Sequence, residues 1–163
     1  MRKLASLLCA LMLSLMPSAA ESKPVDYAPT EYEIEKIAKT LYGECRSNDI
    51  PTMEKAAVVW CILNRCDAWG KTIDQVVNTN HFSGYRKDNP VIDELRAIAE
   101  DVVLRWQLEK IGVSADVGRV LPKEYLYFSG RDGKNHFRTT YRNGTYWEWD
   151  CENPYEIKEE ANG

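Results

Sequence analysis

Apolar and polar positions alternate with a helical period over the first two thirds of the chain and with a strand period near its end. Ile34, Ile37, Ala38 and Leu41 share one helical face. Thr30 with Glu33 three positions on is a capping-box pattern, which starts a first helix after Thr30 and carries it to about Cys45. A second helix is expected from near Thr52 to about Cys66. Its positions 56–60 are apolar without interruption, and Ile62 and Leu63 follow, so it reads as a central, buried helix. Thr72 and Gln75 form a second capping box for a short third helix after Gly70. Residues 81–89 read as a loop. Asn89 then Pro90 predicts an N-cap and first turn, opening a fourth helix that runs to about Lys110. Val91, Leu95, Ile98, Ala99, Val102 and Trp106 point inward from it, and Gly112 ends it.

After Leu121-Pro122 the pattern changes. Residues 125–128 are aromatic and β-prone, residues 129–134 carry turn chemistry, and residues 135–141 read as a returning strand. Asn143-Gly144 is a hairpin signal, with a third strand expected over 146–149. The expected class is therefore α+β: helices first, then a small antiparallel sheet.

The N-terminus stands apart from this pattern. Met1-Arg2-Lys3 is a basic start, residues 4–16 are largely apolar, and small residues precede polar Glu21. That is the pattern of a secretory signal peptide over residues 1–20, and the apolar run is short for a membrane span of about 20 residues. Residues 21–29 then read as a flexible leader, 30–155 as one catalytic-sized domain and 156–163 as a charged tail. The expected location is outside the cell, secreted or held at its surface, with no stable membrane insertion after the signal is removed. The net charge of −4 becomes more negative once Arg2 and Lys3 are gone, which makes nucleic acid a poor partner. Of five cysteines, Cys9 lies in the signal. Cys45, Cys61, Cys66 and Cys151 leave disulfides, free thiols and a metal site open. No Cys-x-x-Cys or His-Glu-x-x-His occurs, so neither metal nor cofactor is expected.

The segment Tyr42-Gly43-Glu44-Cys45-Arg46, followed by the apolar helix ending in Leu63-Asn64-Arg65, resembles the cell wall hydrolase family typified by the spore cortex-lytic enzymes of spore-forming bacteria. His81-Phe82-Ser83, Tyr125-Leu126-Tyr127-Phe128 and Gly133-Lys134-Asn135-His136-Phe137 resemble later motifs of that family, in the same order. The likeness runs from about Ile34 to Phe137. Cys45 departs from the usual small residue after the glutamate, and Tyr146-Trp147-Glu148-Trp149 lies outside the pattern.

The resemblance implies a lysozyme-like helical core and cleavage of the β-1,4 bond between N-acetylmuramic acid and N-acetylglucosamine in peptidoglycan strands. It implies Glu44 as the catalytic acid of a lytic transglycosylase, which protonates the leaving oxygen and then lets the muramic C6 hydroxyl close a 1,6-anhydro ring. Phe82, Ser83, Tyr127, Asn135 and His136 are the expected substrate-binding residues, on a monomer. A substrate that supplies its own nucleophile needs one carboxyl, and the motifs offer one; a water-using enzyme needs a second. Asp74, Asp88 and Asp93 are the candidates for that role, with Glu54 read as a helix-start residue. An acid working near neutrality must keep its proton, which apolar cover and the negative end of a helix both favour, and which a close Arg46 opposes. Two other classes stay open: a non-catalytic wall-binding protein and an N-acetylmuramoyl-L-alanine amidase.

Overall fold

The computed structural model describes residues 27–45, 49–113 and 116–156. The signal peptide, most of the leader, Arg46 and residues 157–163 of the tail lie outside the described residues. The chain is α+β, with four helices followed by one two-stranded antiparallel sheet: α1 (Glu31–Glu44), α2 (Thr52–Trp69), α3 (Ile73–Val76), α4 (Asp93–Lys110), β1 (Tyr127–Arg131) and β2 (Lys134–Arg138). No helix among the described residues is long and apolar enough to cross a membrane.

Both capping boxes form. Thr30 and Thr72 accept from the backbone of Glu33 and Gln75, whose side chains return the bond. Helix α2 is the buried centre, with every residue from Glu54 to Cys66 covered. It runs one turn beyond the expected Cys66, to Trp69, and Gly70 ends it in the left-handed conformation (φ 61°). Helices α1 and α4 pack against it through Ile37, Ala38 and Leu41 and through Ala99, Val102 and Trp106.

Two element starts differ from expectation because a polar group is used elsewhere, and one expected strand does not form. Helix α4 starts at Asp93 and not beside Asn89, because the Asn89 amide donates to the Lys39 and Gly84 carbonyls at 2.9 Å each. Strand β1 starts at Tyr127 and not at Tyr125, because Asn64 Nδ2 takes the Tyr125 carbonyl (3.1 Å) and Arg65 Nε the Leu126 carbonyl (2.5 Å). The expected third strand is absent among the described residues: Tyr146 makes an isolated bridge to Arg138, and Trp149 at φ 61° turns the chain away. The two-residue turn is Asp132-Gly133, both at positive φ (54° and 74°), closed by the pair Arg131 and Lys134. At Asn143-Gly144 only Asn143 has positive φ, so that dipeptide sits inside a wider loop.

Tyr27 corrects the reading of 21–29 as a leader without structure. Its hydroxyl donates to Glu33 Oε1 (2.5 Å) and accepts from the Ile73 N–H (2.9 Å). Glu33 also accepts from the backbone N–H groups of Thr30 and Asp74, at 3.0 Å each. Burial opposes the Glu33 charge, but these donors outweigh it and hold the carboxyl below its ordinary range. A depressed carboxylate stabilises the fold above its unfolded-state pKa, and that contribution is lost as pH falls through the folded value. Glu33→Gln should therefore lower stability at pH 7 by about 1–3 kcal/mol and flatten the loss between pH 5 and 3. Urea unfolding across that range checks it; a variant as stable as the parent at pH 7 refutes the network's role.

Candidate functional site

Glu44 is the last residue of α1 and is half-buried. Its Oε1 accepts a hydrogen bond from the backbone N–H of Gly84 at 2.7 Å. Among the described residues no partner bonds Oε2. One carboxyl oxygen is thus held by the loop, and the other has no partner among the described residues.

Two glycines make this contact possible. A Cβ on Gly43 would lie 1.8 Å from the Gly84 carbonyl oxygen, and one on Gly84 would lie 2.4 Å from the Gly43 carbonyl carbon. The 82–85 loop therefore lies backbone to backbone on the last turn of α1. Asn89 clips it there from one side, and Lys39 Nζ bonds the Lys87 carbonyl from the other (2.9 Å).

Opposite this helix end stands the tip of the hairpin. Glu44, Ile50 and residues 130–135 line a shallow cleft of about 320 Å³. Its far wall is held from two directions. The Asn135 N–H donates to the buried carboxylate of Glu54 at 2.6 Å, and the Asn135 side chain reaches Cys45 Sγ at 3.9 Å. At the other end of α2, Asn64 and Arg65 grip the run into β1. Arg65 is 5% exposed, donates also to the His81 carbonyl (3.2 Å), and lies over the rings of Phe82, Tyr127 and Trp69. It thus bonds carbonyls and lies against ring faces.

The expected binding residues separate into groups. Asn135 lines the cleft. Phe82 does not: it is 1% exposed, packed against Phe128 and under Arg65, out of reach of a ligand. Ser83 is exposed on the loop beside Gly84. Tyr127 and His136 are half-buried and share one face of the hairpin, with Tyr127 under the Arg65 guanidinium. His81 stacks on Trp69, remote in its contacts from His136, which meets Tyr146.

Carboxylates other than Glu44 also fall differently from expectation. Asp74 is engaged by Lys36 Nζ at 2.7 Å. Asp132, which no motif singled out, lines the cleft with Glu44. A turn-forming Asp-Gly is legible in a sequence, but which helix end faces the turn is not.

All four described cysteines are free thiols. Burial, with Glu54 and Glu44 nearby, pushes the Cys45 thiol up to about 12, and burial pushes Cys61 and Cys66 up to about 12 as well. They are packed, protonated groups at neutral pH, poor nucleophiles and poor metal ligands. Among the described residues no group of three or more His, Cys, Asp and Glu side chains is placed to hold a metal ion. Comparison with models of known protein families, with curated proteins and with solved structures finds no match to this chain.

Proposed function

We propose that this protein is an exported peptidoglycan glycosidase, a lytic transglycosylase that cleaves between N-acetylmuramic acid and N-acetylglucosamine with Glu44 as its acid. The observation that carries the reading is the state of the Glu44 carboxyl. It ends a helix, one oxygen is fixed by the Gly84 N–H, and it shares an open cleft with the hairpin tip. A shallow, open cleft suits a polymer entering from the side, as a glycan strand must. The proposal includes the lysozyme-like core implied by the resemblance.

The geometry supports the following chemistry. A glycosidic oxygen lodged against Oε2 takes its proton as the bond to C1 breaks. The carboxylate left behind then accepts the proton of the C6 hydroxyl, which bonds to C1, so no water is consumed. Oε1 stays on the Gly84 N–H throughout, which keeps the second oxygen aimed at one place.

Released fragments should accordingly carry 1,6-anhydromuramic ends, lighter by one water than hydrolysis products and inert to borohydride. Mass spectrometry of digested, purified wall reads this directly. Ordinary reducing ends would overturn the single-carboxyl mechanism and make Asp132 the second carboxylate to test, since it lines the same cleft.

A further inference from the structure

The hairpin has two faces, and the register assigns each residue to one. Phe128, Gly130, Asn135 and Phe137 share the face packed on the helices. The opposite face carries three cross-strand pairs in sequence from the tip: Arg131 with Lys134, Ser129 with His136, and Tyr127 with Arg138.

Three features of this face are unfavourable in isolation. Two cations stand directly opposite each other at the tip, a destabilising pairing. Arg131 has only a loose contact with Asp132 (3.5 Å), both largely exposed. Further along, His136 Nε2 and Arg138 Nε are buried without a hydrogen-bond partner among the described residues. Among the described residues the Arg138 guanidinium forms no ion pair, and it lies over the Tyr141 ring, 5.7 Å from its centroid. Buried polar atoms in folded proteins are nearly always paired, so two on one face, beside a like-charge pair, call for a missing partner. All three features are relieved by the same thing, an anion. The protein as a whole is acidic (net −4), so this cationic face runs against its own background.

The face also has a direction. Arg131 and Lys134 line the Glu44 cleft. Arg138 lies four residues along β2 from Lys134, roughly 13 Å at about 3.3 Å per residue. A charged track therefore leads out of the cleft for about the length of two to three sugar rings.

We propose that this face is a carboxylate-binding track that selects glycan strands still bearing their peptide stems, whose free carboxylates project at intervals along the polymer. Arg138 and Lys134 take the carboxylates, with His136 between them on the same strand face. This inference rests on the wall-cleaving reading for the identity of the polymer, but its test does not depend on cleavage.

The test is co-sedimentation of the full chain, carrying Glu44→Gln so that strands stay intact, with sacculi stripped of phosphate-bearing polymers. A second batch of the same sacculi has its carboxylates converted to neutral amides with a carbodiimide and ammonia. Affinity for the native sacculi should exceed that for the amidated ones by about tenfold or more. The double variant Lys134→Gln/Arg138→Gln should lose that preference, and Arg138→Lys should retain most of it. Equal affinity for both batches, or a double variant that still discriminates, overturns the track. A parent that cleaves wall while binding both batches equally leaves the acid assignment standing and removes the track. A parent that discriminates but never cleaves does the reverse. If only unstripped sacculi bind, the ligand is the phosphate polymer and the proposal is wrong.

Discussion

Glu44→Gln should lower the rate at which purified wall suspension clears by roughly 10²–10⁴-fold, the range for loss of a positioned general acid. Glutamine keeps the shape of the side chain, and its single carbonyl oxygen can still accept the Gly84 N–H. The amide nitrogen then faces the cleft in place of the protonatable oxygen. Fold and stability should therefore be unchanged, and thermal unfolding should stay within about 1–2 °C of the parent. This pairing of outcomes is the discriminating feature: loss of activity with a shifted Tm would only report damage to the helix end. Clearance at near the parental rate, with unchanged Tm, would sink the assignment. It would move the acid's role to another carboxyl, Asp132 first, since that residue lines the same cleft.

Gly43→Ala should destabilise the protein, by about 1–3 kcal/mol. The sign is the informative part. Gly43 lies within helix α1, where alanine is intrinsically favoured over glycine by about 1 kcal/mol. At an open site the substitution would therefore stabilise. Here the new methyl would fall 1.8 Å from the Gly84 carbonyl oxygen, a backbone atom that cannot swing aside. The 82–85 loop must back away, and the Gly84 N–H moves off Glu44 with it. Activity should fall in the same variant, because the carboxyl loses the bond that aims it. Urea unfolding and wall clearance together check this; a stabilised, active variant would show that the loop does not rest on α1 as described. Gly84→Ala makes the complementary test from the loop side, with its methyl 2.4 Å from the Gly43 carbonyl carbon.

The helical part of the fold was readable from the chain because its signals are local. A capping box such as Thr30–Glu33 declares its helix within four residues, and an apolar run such as 56–63 has nowhere to go but the centre. Glu44 was singled out by the motif around it, and the structure adds that a side chain at Gly43 would meet the Gly84 carbonyl. The errors arose where side chains from distant segments compete for backbone groups. Asn89 looks like an N-cap until it is seen bonding Lys39 and Gly84. Tyr125 and Leu126 look like strand until Asn64 and Arg65, about sixty positions earlier, take their carbonyls. Glu54 reads as a residue that favours the start of a helix, and nothing near it in the chain announces Asn135. Phe82 was expected at the cleft because aromatic rings serve sugar sites and cores alike, and burial decides which.

The grip of α2 on the hairpin has a consequence for the order in which the protein comes together. Glu54 and Asn135 are 81 positions apart, and Cys45 and Asn135 are 90 apart. Contacts of that span close last, since the intervening chain must be organised before they gain anything. A chain that emerges N-terminus first, from a ribosome or a translocation pore, presents α1 and its glutamate long before the segment that forms the opposite wall. Until residues 130–135 arrive, Glu44 is an ordinary carboxylate on a helix end with nothing across from it. The cleft is thus a product of completed synthesis, and a truncated chain carries Glu44 without its opposite wall.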